Sequence, residues 1–193
     1  MAIATYSDLK SALIDWVIVT DAPYDVFISM AEAELKSTVK HYRALKDVTI
    51  DIIDNKVTLP DDISEIRFVE IDNKRTKELS LFGGEISSEQ AAYERIGNNV
   101  RCYGQGKLRK FRIVYWSEIV PLSDVNNTNW LLTNFPNVYF YAALVKFYQR
   151  EQNAEQTAVM TENLKVAIAL LEEDNRKWSL SGTSYSFEKE DNW

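Results

Sequence analysis

The chain opens with two segments of helical periodicity. The first runs from Ser7 to about Ile18, and the second is predicted to begin near Asp25, a good N-cap residue, and to run to about His41. In both segments one apolar stripe alternates with charged residues, which is typical of helices packed against a core. The short link that ends in Pro23 predicts an antiparallel helical pair. The apolar stripes are Leu9, Ala12, Leu13, Trp16 and Val17, then Ile28, Ala31, Leu35 and Val39.

The periodicity then changes from helical to alternating. Apolar residues alternate with polar ones from Val48 to Leu59, around the turn-forming pair Asp54-Asn55, which predicts a β-hairpin. A second hairpin is predicted from Val100 to Trp116, around Gly104-Gln105-Gly106. Between the two, Ser87 and Gln90 have the spacing of a capping box, which predicts a short helix over Ser88–Ile96.

Two long helices are predicted to close the fold. The first begins near Pro136, where the missing N–H of proline costs no hydrogen bond, and the second runs from about Ala154 to Lys177. Beyond Trp178 the sequence turns to Ser, Gly, Thr and charged residues. We therefore expect an extended tail there.

Taken together, the elements predict an α+β protein. Its expected architecture is a helical bundle of two N-terminal and two long C-terminal helices, with a central antiparallel β-region and a short helix. The predicted divisions are 1–45 for the N-terminal helical pair, 46–118 for a β-rich insertion, 119–178 for the C-terminal helical pair and 179–193 for the extended tail. The two helical pairs are expected to form one domain.

Composition narrows the functional classes. The 193 residues carry a formal net charge of −7, which disfavours wrapping nucleic acid or binding an anionic membrane, since both require Lys and Arg in excess. The single cysteine, Cys102, excludes an intrachain disulfide framework. We see no basic leader followed by an apolar run, and no apolar segment long enough for a bilayer, so we expect neither a signal peptide nor a membrane partner.

The chain has few candidates for catalysis. His41 is the only histidine, so one subunit cannot supply a multi-histidine zinc site, and we read His41 as an exposed histidine at a helix end. The glycine pairs lack the context of a phosphate-binding loop. The carboxylate pairs Asp61-Asp62 and Glu172-Glu173 are expected to be solvated, whereas acid–base work needs burial. We predict no enzyme activity, no catalytic residues, no metal and no cofactor.

One basic stretch is a candidate for DNA or subunit contact. Lys107, Arg109, Lys110 and Arg112 interleave with Phe111, and cations between aromatics are typical of nucleic-acid-binding strands. The stretch is short and lies in an acidic chain, so a solvated or subunit-facing hairpin is the alternative.

Aromatic residues are concentrated at the start of the last helix pair. Tyr139, Phe140 and Tyr141 are consecutive and therefore point around more than half of a helix, so we expect part of this surface to be buried under the β-region or against a partner. The candidate interface residues are Trp130, Phe135, Tyr139, Phe140, Tyr141, Trp178, Tyr185, Phe187 and Trp193.

Several stretches resemble a family of viral assembly proteins. The run Asn129–Leu144 is similar to the start of the C-terminal helical pair in phage head-to-tail adaptor proteins, which sit beneath the portal of short-tailed phages and include the tail-tubular-A type. Tyr6–Lys10 and Phe27–Leu35 resemble the first two helices of that family. Leu59–Arg67 resembles its Leu-Pro-x-Asp segment, and Arg176–Gly182 its closing stretch. The chain departs from the family mainly around Lys74 to Gly97.

The resemblance implies a structural virion protein at the head–tail junction, assembled in the host cytoplasm. It implies a ring, usually of twelve copies, that binds the portal protein and a downstream tail or nozzle protein. The ring would extend the channel through which DNA passes in packaging and ejection, without sequence-specific binding. The tail that contains Tyr185, Phe187 and Trp193 would become ordered on the portal or on a neighbouring subunit.

Two other functions remain open from the sequence. The first is another tail-completion or capsid-associated interaction module. The second is a DNA-binding accessory protein that acts through the basic stretch Lys107 to Arg112.

Overall fold

The structure is a computed structural model that describes residues 3–79 and 91–181. Its contacts divide the chain into two units. One unit is formed by the residues up to Tyr42 together with those from Ile119 onward, and the other by Arg43–Glu118. Each unit has a hydrophobic core of its own.

The first unit is helical. Thr5 begins its first helix with a capping box, because its hydroxyl accepts the Asp8 N–H while the Asp8 carboxylate accepts the Thr5 N–H. The predicted N-terminal helices are confirmed, although the second ends before His41. The helices are α1 (Tyr6–Val17), α2 (Tyr24–Thr38), α3 (Trp130–Asn134), α4 (Pro136–Arg150) and α5 (Ala154–Ser181).

The core of this unit is built around α4, which contacts each of the other four helices. Val138, Tyr139 and Leu144 of α4 have no exposed surface. Leu9 of α1 and Ile28 of α2 are buried in the same cluster. A helix that is apolar over most of its circumference is stable in this position because helices surround it.

The second unit is a seven-stranded, nearly closed, barrel-like sheet. The strand order is β1-β7-β3-β4-β5-β6-β2, and the buried residues of its inner face include Val69, Phe111 and Ile113. The strands are β1 (Leu45–Asp51), β2 (Lys56–Thr58), β3 (Ile63–Ile71), β4 (Lys74–Glu78), β5 (Ala92–Ile96), β6 (Asn99–Tyr103) and β7 (Lys110–Ser117), preceded by a 3₁₀ turn (Tyr42–Ala44).

The predicted helical-bundle architecture with two long C-terminal helices is wrong. The chain is α+β, but the helices number five within the described residues, and the β-region forms a sheet around its own core. The first of those two helices begins at Pro136 as predicted, but the short helix α3 precedes it and ends before Phe135, whose φ of −136° and ψ of 57° are not helical. The residue before a proline is hindered from the helical conformation, so the helical backbone breaks between α3 and α4.

The β-region also differs from the prediction. It is not wholly antiparallel, because β4 and β5 pair in parallel. The predicted helix Ser88–Ile96 is wrong where the structure describes it, since Ala92–Ile96 is strand β5 and pairs with β6 along its whole length. Residues 88–90 lie outside the described residues. Capping-box spacing is a local signal, and the strand pairing overrides it.

No helix in the described parts of the chain combines the length and apolar character needed to cross a bilayer.

Candidate functional site

A buried polar network fixes the segment Asn129–Leu144. The Asn129 side-chain oxygen accepts the Leu132 N–H at 2.9 Å and thereby caps α3. The Asn129 amide nitrogen donates to the Val120 carbonyl at 2.8 Å and to the Tyr139 hydroxyl at 2.7 Å. One side chain therefore links the preceding connection, α3 and α4.

The network continues from Tyr139 to a buried carboxyl group. The Tyr139 hydroxyl donates to Glu32 at 3.1 Å, and the same carboxylate oxygen accepts the Leu122 N–H at 2.7 Å. Burial raises the pKa of Glu32, while these two hydrogen bonds act in the opposite direction. Burial likewise raises the pKa of the Tyr139 hydroxyl. Both groups have buried partners, so we assign the network a positioning role.

The three consecutive aromatic residues divide between core and surface. Tyr139 has no exposed surface, and Phe140 is buried with its ring edge-on to Trp16 at 5.5 Å. Tyr141 is half-buried and lies edge-on to Phe140 at 5.6 Å. Within one subunit, Tyr139 and Phe140 are packing residues, and only Tyr141 of the three retains appreciable surface for a partner.

A second aromatic cluster surrounds His41. The imidazole is 0 % exposed and stacks on Trp130 at 5.3 Å, with Phe135 edge-on at the same distance. Its Nε2 lies 3.3 Å from the Asp174 carboxylate of α5. The interpretation of His41 as an exposed helix-end residue is therefore wrong, because it lies beyond α2 and aromatic side chains enclose it. Such an enclosed imidazole serves packing.

Trp178 is the most exposed of the predicted aromatic residues that the structure describes. Its ring stacks on Tyr42 at 4.8 Å with an interplanar angle of 7°, yet the residue remains 46 % exposed. Tyr185, Phe187 and Trp193 lie outside the described residues.

The long helix α5 carries an exposed apolar stripe of three residues, Val159, Val166 and Leu170. Spacings of seven and eleven residues correspond to about two and three turns, so the three side chains share one face. Val166 is 62 % and Leu170 63 % exposed. The core face of the same helix is formed by Met160, Ala167 and Leu171, which are all buried. The α5 stripe is thus a second apolar face.

The basic stretch is largely neutralised by carboxylates on neighbouring strands. Arg112 of β7 binds Asp47 of β1 through two hydrogen bonds of 2.9 and 2.6 Å, and it binds Glu70 of β3 at 2.8 Å. These partners raise the pKa of the guanidinium further. Lys110 pairs with Asp51 at 2.6 Å.

Lys107, Arg109 and Lys110 are all exposed, but within the described residues only Lys107 and Arg109 of the basic stretch form no ion pair. Both precede β7, and the Arg109 main-chain N–H is held by the Asp72 carboxylate. Of the four predicted cations, only these two are left for phosphate contact.

The described residues offer little for catalysis. Within residues 3–79 and 91–181, no group of three or more His, Cys, Asp or Glu side chains is arranged to hold a metal ion. Burial raises the pKa of the Cys102 thiol to about 11, so it is neutral at physiological pH and a poor nucleophile.

Sequence reasoning missed Glu32 and the α5 stripe. Glu32 looks like a solvated helix residue because its partners, Leu122 and Tyr139, are 90 and 107 residues away. The stripe did leave a signal, since Val159, Val166 and Leu170 repeat at helical spacing beside the core stripe.

Comparison with known proteins gives one family. The family model described as SU10 adaptor protein matches residues 4–184. None of the curated proteins matches the chain.

Proposed function

Because the chain belongs to the SU10 adaptor protein family, and is therefore a phage head–tail adaptor, we propose that it forms a ring beneath the portal. The family is one of structural phage adaptors and not of enzymes, and membership implies a virion component that contacts other head and tail proteins. The resemblance to head-to-tail adaptors implies about twelve copies. The ring extends the DNA channel and provides the attachment platform for the tail.

The α5 stripe is the observation that carries this proposal. Val159, Val166 and Leu170 present aliphatic side chains to solvent on one face of a 28-residue helix whose other face is buried. Isolated exposed apolar residues are common, but an aligned set on a long helix is the pattern of a protein interface. In a ring this face contacts the next copy or the portal.

Aromatic residues near the ends of the helices supply the anchors. Trp178 and Tyr141 retain exposed surface while their rings are held by Tyr42 and Phe140. Rings that are already fixed lose little entropy on binding, which suits residues at an interface. We assign Trp130, Phe135, Tyr139 and Phe140 to the support of this surface.

The electrostatics suit a conduit for DNA. The chain has a net charge of −7, and Arg112 and Lys110 are paired with carboxylates. A wall that does not hold phosphates allows DNA to move past it. The exposure of Lys107 and Arg109 favours a second candidate function, that of a DNA-binding accessory protein.

Mixing the purified chain with portal rings and imaging the mixture by electron microscopy tests the proposal. We expect a cap whose rotational symmetry matches that of the portal. Portal rings that remain uncapped at a saturating concentration of folded chain would refute it.

A further inference from the structure

The barrel-like sheet leaves a cleft where it fails to close. β1 and β2 are the two ends of the strand order, and a tight turn joins them: the main-chain groups of Ile53 and Lys56 bond to each other at 2.8 and 3.1 Å. Asp54 and Asn55 both have positive φ, as such a turn requires. Beyond the turn the two strands diverge, because β1 pairs with β7 and β2 with β6. The resulting cleft has a volume of about 700 Å³.

Apolar side chains form the floor of the cleft and part of its rim. Val57 and Val100 are buried in its floor, whereas Ile53 and Ile96 line it while 70 % and 64 % exposed. Exposed isoleucines beside an open strand edge are an association site unless they are covered.

Two cations and two carboxylates line the cleft. Lys56 and Arg101 line it and lie directly opposite each other on the β2–β6 ladder, where like charges destabilise. Neither forms an ion pair within the described residues. Of the two carboxylates that line the cleft, Asp51 pairs with Lys110 at 2.6 Å, whereas Glu94 accepts from the Tyr103 hydroxyl at 2.8 Å and lies opposite Arg101 on the β5–β6 ladder. An acidic ligand would relieve the repulsion between the two cations.

Within residues 3–79 and 91–181, one edge of β1 has no partner strand and can accept one. The Ile52 N–H donates to the Arg109 carbonyl at 2.9 Å, so in antiparallel pairing the even-numbered residues of β1 bond to β7. The main-chain groups of Thr49 and Asp51 therefore face away from β7. Addition of an extended segment to such an edge is a common mode of peptide recognition.

The C-terminal sequence combines the apolar and acidic residues that a ligand of this cleft needs. In Ser184-Tyr185-Ser186-Phe187 aromatic residues alternate with small ones, which is the pattern of a strand with one apolar face. Three acidic residues follow within the next four, namely Glu188, Glu190 and Asp191. The aromatic rings match the apolar floor of the cleft, and the carboxylates match Lys56 and Arg101.

We infer that residues 184–191 of one copy bind as an extended strand in the β1–β2 cleft of the next copy in the ring. The inference rests on the proposed ring. Each copy has one tail and one cleft. If every tail binds the cleft of the next copy in the same direction, the interface is heterologous, and all clefts are filled when the ring is closed.

A labelled peptide of residues 182–193 tests the cleft directly by fluorescence anisotropy. The receptor is the full-length chain with Tyr185→Ser and Phe187→Ser, which removes the aromatic anchors of its own tail. We expect saturable binding that weakens at least tenfold with Ile53→Asp plus Ile96→Asp, and also with Lys56→Glu plus Arg101→Glu. Val125→Asp, at a residue 91 % exposed outside the cleft, is the matched control and should leave binding unchanged. No saturable binding, or binding that neither pair of substitutions weakens, would overturn the inference.

Exchange between copies is tested by disulfide trapping in a Cys102→Ala background. Phe187→Cys and Ile53→Cys are placed in separate chains, which are mixed with portal rings and oxidised. We expect a disulfide-linked heterodimer of the two variants, which can form only between copies and does not form when either variant is oxidised alone. If the two substitutions form a disulfide only when they are in the same chain, the tail binds its own cleft and the exchange is refuted.

The same variants separate this inference from the ring proposal. If the Tyr185→Ser plus Phe187→Ser chain caps the portal while the peptide does not bind, the ring stands and the tail inference is wrong. If the wild-type chain does not cap the portal, the ring proposal is wrong, and peptide binding with dimer formation in solution would still support exchange between copies.

Discussion

The Tyr139 hydroxyl donates a 3.1 Å hydrogen bond to the carboxylate of Glu32, and both side chains are buried. The bond joins α4 to α2, and the Leu122 N–H binds the same oxygen from the connection that precedes α3. This contact fixes the position of Tyr139–Tyr141 in α4. The contribution of Glu32 to the free energy of unfolding therefore reports how firmly these residues are held.

Glu32 should make stability depend on pH. Burial raises its pKa in the folded state, so the folded protein binds this proton more tightly than the unfolded chain. The stability contributed by the neutral carboxyl is complete below the unfolded pKa and is lost as pH rises through the folded pKa. Glu32→Gln keeps an oxygen acceptor and cannot ionise. We expect the free energy of unfolding of the wild type to fall relative to Glu32→Gln as the pH rises through the raised pKa of Glu32.

Urea unfolding of both proteins at several pH values measures this difference. Carboxylates whose pKa is lowered, such as Asp25 and Asp62, give the opposite slope but contribute equally to both proteins. Parallel curves for the two proteins would show that Glu32 titrates normally.

Loss of the Asn129 side chain should destabilise the helical unit. Asn129→Ala removes the cap of α3 and the hydrogen bonds to Val120 and Tyr139, and we expect a cost of about 1–3 kcal/mol in the free energy of unfolding. Asn129→Asp keeps the capping oxygen and loses the two donated bonds. Chemical denaturation should therefore place its stability between alanine and wild type. An aspartate variant as unstable as alanine would mean that the cap contributes no more than the repulsion between the new carboxylate and the Val120 carbonyl removes.

The α5 stripe should be required for assembly and dispensable for folding. Val166→Glu with Leu170→Glu changes two exposed side chains, so we expect the free energy of unfolding to change by less than about 0.5 kcal/mol for each substitution. Portal capping, counted in electron micrographs, should be abolished because charges would enter an apolar interface. The matched control is Glu172→Lys, an exposed position on the same helix outside the stripe. Normal capping by the double variant would exclude the stripe from the interface.

The basic stretch should contribute unequally to any binding of DNA. Lys107→Gln with Arg109→Gln removes the two cations of the stretch that form no ion pair within the described residues, and we expect whatever affinity the chain has for duplex DNA at low salt to fall. The slope of log affinity against log salt concentration should become less steep, by no more than the contribution of about two phosphate contacts. Arg112→Gln should have little effect, since Asp47 and Glu70 already occupy the guanidinium. An equal loss with Arg112→Gln would mean that DNA competes with these carboxylates.

Local signals in the sequence predicted the local features of the fold. The predicted turn at Asp54-Asn55 forms with positive φ at both residues, because Asp and Asn tolerate that conformation. The first two helices follow from their apolar stripes, and α3 ends before Pro136 for a steric reason that the sequence contains. The family resemblance was also visible in the sequence and is confirmed.

Distant pairing decided the rest. Val48 and Val57 look like two arms of one hairpin, but β1 pairs with β7, and the hairpin is reduced to the bridge between Ile53 and Lys56. Residues Ala92–Ile96 became a strand because β4 and β6 lie on either side of them. Alternation of apolar and polar residues indicates a strand, but it does not indicate which distant strand is its partner.

By itself, then, the sequence determined the helical stripes, the turns and the family, since each depends on neighbouring residues or on the residues in order along the chain. Only the tertiary structure decided that Tyr139 and Phe140 are core residues, that Glu32 is buried, and that Arg112 is held by carboxylates 65 and 42 residues away. The physical reason is that burial and charge pairing depend on which distant segments meet, and a side chain's chemistry alone does not specify its partner.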